Sequence, residues 1–219
     1  MVTPALALLH TSPVHVPVFE ALRDQDHPGF ALRHLVHEDL LARARAEGPD
    51  AVADDIRELL ERTVADGASV VLCTCSTIGA VTEERAAALG VPLVRVDRPM
   101  AAAAVAAGRS VAVVATLEST LGPTRALVEE EAARAGRPVE VTTVLVEGAW
   151  ERFEAGDGEG HARLVADAVD ALEGVDSVVL AQASMADAAD RATLSVPVIS
   201  SPRAGLRAAV LRCGEYVKS

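Results

Sequence analysis

The chain is poor in aromatic residues: one Trp, one Tyr and three Phe make 2% of its 219 residues, although half of the residues are apolar. A core of that kind must be built from Ala, Val and Leu, which suits parallel strands covered on both faces by helices. Lysine is nearly missing, and the single one, Lys218, leaves no internal amine for a pyridoxal Schiff base. No Gly-rich dinucleotide or P-loop fingerprint follows an apolar run, since Ala-Leu-Leu-His-Thr-Ser-Pro is the wrong turn for a pyrophosphate. No cofactor is therefore expected. Basic clusters are absent, and a net charge of −12 makes nucleic acid and anionic membranes poor partners. No stretch approaches the roughly 20 apolar residues of a membrane span. The first residues carry neither a basic region nor a long enough apolar run for secretion. With three cysteines, an odd number, these features predict a cytoplasmic protein with reduced thiols.

What is present alternates strand and helix from start to finish. Apolar runs predict strands at 5–11, 30–36, 69–75, 92–96, 110–115, 139–145, 177–182 and 196–200. Helical periodicity fills 51–64 and 161–173, with a helix at 123–135 opened by Pro123 and closed by Gly136. A further helix over 99–107 follows Asp97, which either N-caps it or orients a His or a substrate ammonium group, and another spans 202–216.

The halves also match each other. Ser-Val-Val-Leu-Cys-Thr-Cys-Ser-Thr at 69–77 resembles Ser-Val-Val-Leu-Ala-Gln-Ala-Ser-Met at 177–185, an offset of 108. The strands ending in Thr11 and Thr116, and the pairs Val91-Pro92 and Val196-Pro197, match at 105. Three ordered matches predict an α/β fold of two pseudo-symmetric lobes, each a four-stranded parallel sheet flanked by helices. The expected boundaries are 1–98 with 201–219 for the first lobe and 99–200 for the second.

In such sheets ligands bind beyond the carboxyl ends of the strands. Those ends carry Thr11-Ser12, Cys75-Ser76-Thr77, Thr116 with Ser119-Thr120, Gln182-Ala183-Ser184, and Ser200-Ser201. Hydroxyls and free amides at helix N-termini bind carboxylates and phosphates; each Ser or Thr alone is equally a good N-cap. Cys75 is the leading reactive residue, because a thiol at a helix N-terminus is held more readily as thiolate. Cys73, inside the apolar run, and Cys213, in the last helix, read as structural. His10 and His15 flank the first strand end as candidate auxiliary acid/base groups, with capping or surface roles the plainer reading. No His or Cys set has metal-ligand spacing.

These residues carry a family likeness. Cys75-Ser76-Thr77 after Val-Val-Leu resembles the Cys-Asn-Thr turn of aspartate and glutamate racemases. Val113-Val114-Ala115-Thr116 with Ser119-Thr120 resembles their Gly-Thr-x-x-Thr turn, and Leu180-Ala181-Gln182-Ala183-Ser184-Met185 the second cysteine turn of hydantoin racemases. The resemblance implies a cofactor-independent enzyme in which two thiols flank the α-carbon of a small carboxylic acid. It further implies that Cys75 is one acid/base and that Ser76, Thr77, Thr116, Ser119, Thr120 and Ser184 line a carboxylate pocket. The second thiol is missing: the internal overlay puts Ala183 there, and the hydantoin-type alignment puts Gln182 there. Three functions follow: a racemase or isomerase in which a His or a bound water replaces the second thiol, a one-cysteine decarboxylase or a cis-diacid isomerase, and a carboxylate-binding protein without chemistry. The expected partner is a small carboxylate or dicarboxylate, and self-association into a homo-oligomer is left open.

Overall fold

The computed structural model describes residues 6–216, so residue 5 of the first expected strand and Lys218 lie outside the described residues. Contacts divide the chain into two units. One runs to Val96 and is rejoined by the chain from Pro202; the other is Asp97–Ser201.

The first unit contains β1 (Leu6–His10), α1 (His15–Asp26), β2 (Leu32–Val36), α2 (Glu38–Glu47) and α3 (Ala53–Ala65), then β3 (Val70–Cys73), α4 (Ser76–Leu89) and β4 (Leu93–Arg95). Its sheet is parallel with order β2-β1-β3-β4, which makes β1 and β3 central. Both read as unbroken apolar runs because both faces are covered. Ala7, Leu9, Val71 and Cys73 face Leu40, Ile56, Leu60 and Ile78 of α2, α3 and α4. Leu6, Leu8, Val70 and Leu72 face Phe19 of α1 and Leu206, Ala209 and Cys213 of α10 (Pro202–Tyr216).

The second unit contains α5 (Arg98–Ala107), β5 (Ser110–Ala115), α6 (Glu118–Arg134), β6 (Glu140–Leu145), α7 (Ala149–Glu154), α8 (Gly158–Asp170), β7 (Ser177–Leu180), α9 (Ala186–Ala189) and β8 (Val198–Ser200). Its parallel sheet has order β6-β5-β7-β8, the same topology as the first. Val111, Val113 and Val179 pack on Met100 and Val105 of α5 and Leu127 and Val128 of α6. Ala112, Val114, Val178 and Leu180 pack on Val165 and Val169 of α8 and on Met185 and Ala188. Two related lobes, each a four-stranded parallel sheet between helices, are what the strand pattern predicts.

The helix after β4 therefore belongs to the second unit, and the helix after β8 to the first. Gly205 makes the second of these dockings close: a Cβ there would sit 2.6 Å from the Val96 carbonyl oxygen. One boundary departs clearly from the sequence reading. Helix α6 begins at Glu118, so Pro123 lies inside it rather than at its start. A proline there has no amide to donate to the Ser119 carbonyl, a loss that the first turn would not have incurred. No helix among the described residues is long and apolar enough to cross a membrane.

Candidate active site

In the first lobe the backbone leaves β3 extended and turns into α4 at Cys75, the N-cap (φ −111°, ψ 118°). Ser76 and Thr77 form the first turn and are buried, and Thr77 Oγ1 has no hydrogen-bond partner among the described residues. Thr11, also buried, and half-buried Ser12 follow the neighbouring strand β1, whose Leu9 carbonyl accepts from Thr74 N at 3.0 Å. Cys75 itself is half-buried, whereas Cys73 and Cys213 are buried. The Cys73 thiol is tied within the fold, 3.6 Å from the Cys75 carbonyl and 3.7 Å from Thr82 Oγ1. Burial pushes the Cys213 thiol up to about 11. Of the three sulfurs, Cys75 is the one poised at a helix mouth and within reach of solvent.

His10 points to the opposite face of the sheet, against Phe19. It is fully buried. Its Nδ1 lies 2.8 Å from Thr74 Oγ1, whose hydroxyl donates to the Leu9 carbonyl at 2.9 Å. A hydroxyl that has spent its proton can only accept, so His10 Nδ1 carries the hydrogen in this arrangement. His10 Nε2 meets His34 Nδ1 at 2.8 Å, and His34 Nε2 meets the Glu20 carboxylate at 2.9 Å. Burial, with His34 and His15 adding repulsion, lowers the His10 pKa to about 3. His15 is half-buried, its ring 6.3 Å from that of His10, and burial lowers it to about 4. Both rings are therefore neutral near pH 7, and His10 braces the ends of β1 and β3.

Two residues of this turn are not signalled by the motifs. Glu20 closes the His34–His10 chain from α1, far away in sequence. Arg95 is buried at the end of β4, in register with Cys73, with Nη1 3.9 Å from Glu83. Its guanidinium lies over the first turn of α4, where a Cβ on Gly79 would meet Arg95 Nε at 2.8 Å. An arginine inside Leu-Val-Arg-Val is the sequence signal that marks it.

The ladder register settles which residue of the second lobe corresponds to Cys75. Leu9 pairs with Cys73, and its counterpart Val114 pairs with Leu180. Likewise Thr74 N donates to Leu9 O, as Ala181 N does to Val114 O. The true offset of the third strands is thus 107, and the Ser-Val-Val-Leu match at 108 is one residue out. Gln182, extended (φ −124°, ψ 142°) and capping the 3₁₀ turn Ala183–Met185, stands in the place of Cys75. Ala183, buried, corresponds to Ser76, and half-buried Ser184 to Thr77. A string match between apolar runs cannot fix register, because one residue of slip exchanges the faces.

Gln182 is engaged. Its Oε1 accepts from Thr116 N at 2.7 Å, Leu117 N at 3.1 Å and Thr116 Oγ1 at 3.1 Å. Backbone amides only donate, which identifies the contacting atom as the carboxamide oxygen. Thr120 Oγ1, 3.4 Å away, gives its proton to the Leu117 carbonyl at 2.6 Å instead. The structure so brings Thr116, Thr120 and Gln182 together in the second lobe, and sets Cys75, Ser76 and Thr77 beside Thr11 and Ser12 in the first. Ser119 is half-buried, its Oγ unpartnered among the described residues. Asp97 sits at the N-cap of α5 as expected by position, its carbonyl accepting from Ala101 N, without a side-chain cap bond. No group of three or more His, Cys, Asp or Glu among the described residues is placed to hold a metal ion.

A family profile described as Asp/Glu/hydantoin racemase matches residues 16–209. The fold is similar to that of a glutamate racemase from Bacillus anthracis, with a TM-score of 0.72 at 13% identity over 97% of this chain and 82% of that one. It is similar to the Picrophilus torridus aspartate racemase, with a TM-score of 0.66 at 15% identity over 98% of each chain. A cysteine-substituted arylmalonate decarboxylase, in a sulfate ion associated form, gives 0.62 at 22% identity over 96% and 94%. Among curated proteins a sequence search finds no significant match.

Proposed function

Since the chain belongs to the Asp/Glu/hydantoin racemase family, we propose that it is a cofactor-independent, racemase- or isomerase-like enzyme acting at the α-carbon of a small carboxylic acid, with Cys75 as its thiol acid/base. The observation that carries this reading is the turn at Cys75. A half-buried cysteine occupies the N-cap position of a 14-residue helix, and the next two residues add hydroxyls, one of them buried and unpartnered among the described residues. The first amides of a helix and a buried hydroxyl suit a carboxylate, and the same helix end favours the thiolate over the thiol. With an overall charge of −12, that local field is what would draw an anion in.

In the proposed step the Cys75 thiolate takes the α-proton, and the electrons of the broken C–H bond form an enediolate. Amides and hydroxyls hold the developing charge on the carboxylate oxygens. Return of that proton to the same face regenerates the thiolate and only exchanges the α-hydrogen with solvent; inversion needs a proton from water on the opposite face, the hydroxide left behind taking the proton held by the Cys75 thiol. Gln182, in the second position, cannot exchange a proton near neutral pH. Exchange is therefore expected on one face of the α-carbon.

The same substitution favours a second reading, a one-cysteine decarboxylase. There carbon dioxide leaves, its bonding electrons remain as the enediolate, and the Cys75 S–H protonates the carbon. Water restores the thiol. Arylmalonate decarboxylase shares the fold.

A thermal-shift screen of malonates, maleate, hydantoins and amino acids tests the ligand class. Stabilisation by carboxylates is expected, and a response only to cations or nucleotides would count against it. Turnover of the responding compound, lost in Cys75→Ser, separates an enzyme from a binding protein.

A further inference from the structure

The second lobe keeps the donor set of an oxyanion site but fills it with its own chain. Thr116 N, Leu117 N and Thr116 Oγ1 converge at the mouth of a 17-residue helix, and all three donate to Gln182 Oε1. Two successive amides and a hydroxyl at a helix N-terminus are what a carboxylate oxygen takes. A carboxamide oxygen is its nearest neutral equivalent in shape. We propose that Gln182 is an internal stand-in for a ligand carboxylate, filling the Thr116–Leu117 nest and so leaving ligand binding and thiol chemistry to the first-lobe turn at Cys75. Gln182 is then a specificity-determining residue, a role that rests on the reading of the protein as a carboxylate-acting enzyme.

Three observations support it. The register equates Gln182 with Cys75, so the residue that lost the thiol is the one that closes the nest. Backbone angles at the two positions are similar, and a thiol ends two bonds short of a carboxamide oxygen. Gln182 is also 8% exposed, with Ser119 Oγ buried beside the same turn and unpartnered among the described residues. A group fixed in place competes at an effective concentration far above that of a millimolar ligand, so the carboxamide holds the nest.

The test is ¹⁵N NMR of the full chain, following the Thr116 and Leu117 amides during titration with acetate near pH 7. In the parent protein neither resonance should move. In Gln182→Ala both should leave their hydrogen-bonded positions and then shift saturably with acetate. Gln182→Glu covers the case in which the alanine variant does not fold: its own carboxylate should take the nest, keep both amides downfield and leave them unresponsive. Acetate moving the parent amides would overturn the proposal. So would unresponsive amides in a folded Gln182→Ala protein, or free amides in Gln182→Glu. Alkylation of Cys75 with and without malonate, measured on the same samples, reports on the functional reading alone. Loss of that protection with the amide result intact would sink the reading of the first-lobe site but not the closure of the second.

Discussion

Acidification should destabilise this protein well above the range where its carboxylates titrate, and His10 is the reason. Burial holds its folded-state pKa at about 3, against an ordinary value of 6.5. The folded ring stays neutral while the unfolded ring takes a proton below pH 6.5. The unfolded state then binds more protons, so stability is full above about pH 6.5, falls as pH drops, and is lost through pH 3. Each unit in that window costs about 1.4 kcal/mol, so at pH 5 His10 alone removes about 2 kcal/mol. His15, lowered by burial to about 4, adds to the same slope with the same sign and by nearly as much down to pH 5. The measurement is urea unfolding between pH 7.5 and 5, for the parent and for His10→Asn. The asparagine keeps an N–H for Thr74 but cannot titrate. It should be less stable at pH 7.5, by about 1–3 kcal/mol for the lost contact with His34, and should show a distinctly flatter pH dependence. Equal slopes in the two proteins would refute the assignment of the effect to His10.

Three further outcomes follow from the same geometry. Thr74→Val should cost about 1–3 kcal/mol in urea unfolding, because the buried His10 Nδ1–H then has no acceptor; an unchanged midpoint would contradict the hydrogen-bond assignment. Gly205→Ala should cost about 1–3 kcal/mol and lower the melting temperature, since the new Cβ meets the Val96 backbone at 2.6 Å and backbone cannot yield as a flexible side chain does. Iodoacetamide at neutral pH should label Cys75 first, followed by Cys73 and Cys213 only on unfolding, as read by peptide mass spectrometry. Fast labelling of Cys213, a buried thiol pushed up to about 11, would overturn that order.

The fold was legible because its strands are short apolar runs with turn residues at their carboxyl ends, and a repeated order of such runs admits few topologies. The positions of Cys75, Thr116 and Asp97 at helix starts were legible for the same reason. Register was not. Ser-Val-Val-Leu occurs twice, but Val, Leu and Cys substitute freely in a buried strand, and the hydrogen-bond ladder decides between the two residues the sequence offered: Gln182, from the hydantoin-type alignment, takes the place of Cys75, and Ala183, from the internal overlay, does not. The start of α6 was also missed, because Pro123 reads as a first-turn residue when local sequence is the guide. Arg95 and the Glu20–His34–His10 chain escaped because their meaning lies in tertiary partners. Glu20 sits in an amphipathic helix where an acid normally faces water, and nothing in its neighbourhood announces a histidine fourteen residues away.

The central claim is that Cys75 moves a proton at the α-carbon of a small carboxylic acid. Its most direct test is solvent-deuterium incorporation at the α-carbon, followed by NMR on the carboxylic acid that most stabilises the protein, for the parent and for Cys75→Ser. The serine variant is nearly isosteric, and its hydroxyl stays protonated near neutral pH. The parent should wash in deuterium on one face, or leave a single labelled enantiomer if carbon dioxide is lost, and the variant should be slower by several orders of magnitude. Incorporation at the parent rate in a folded Cys75→Ser protein would contradict the claim.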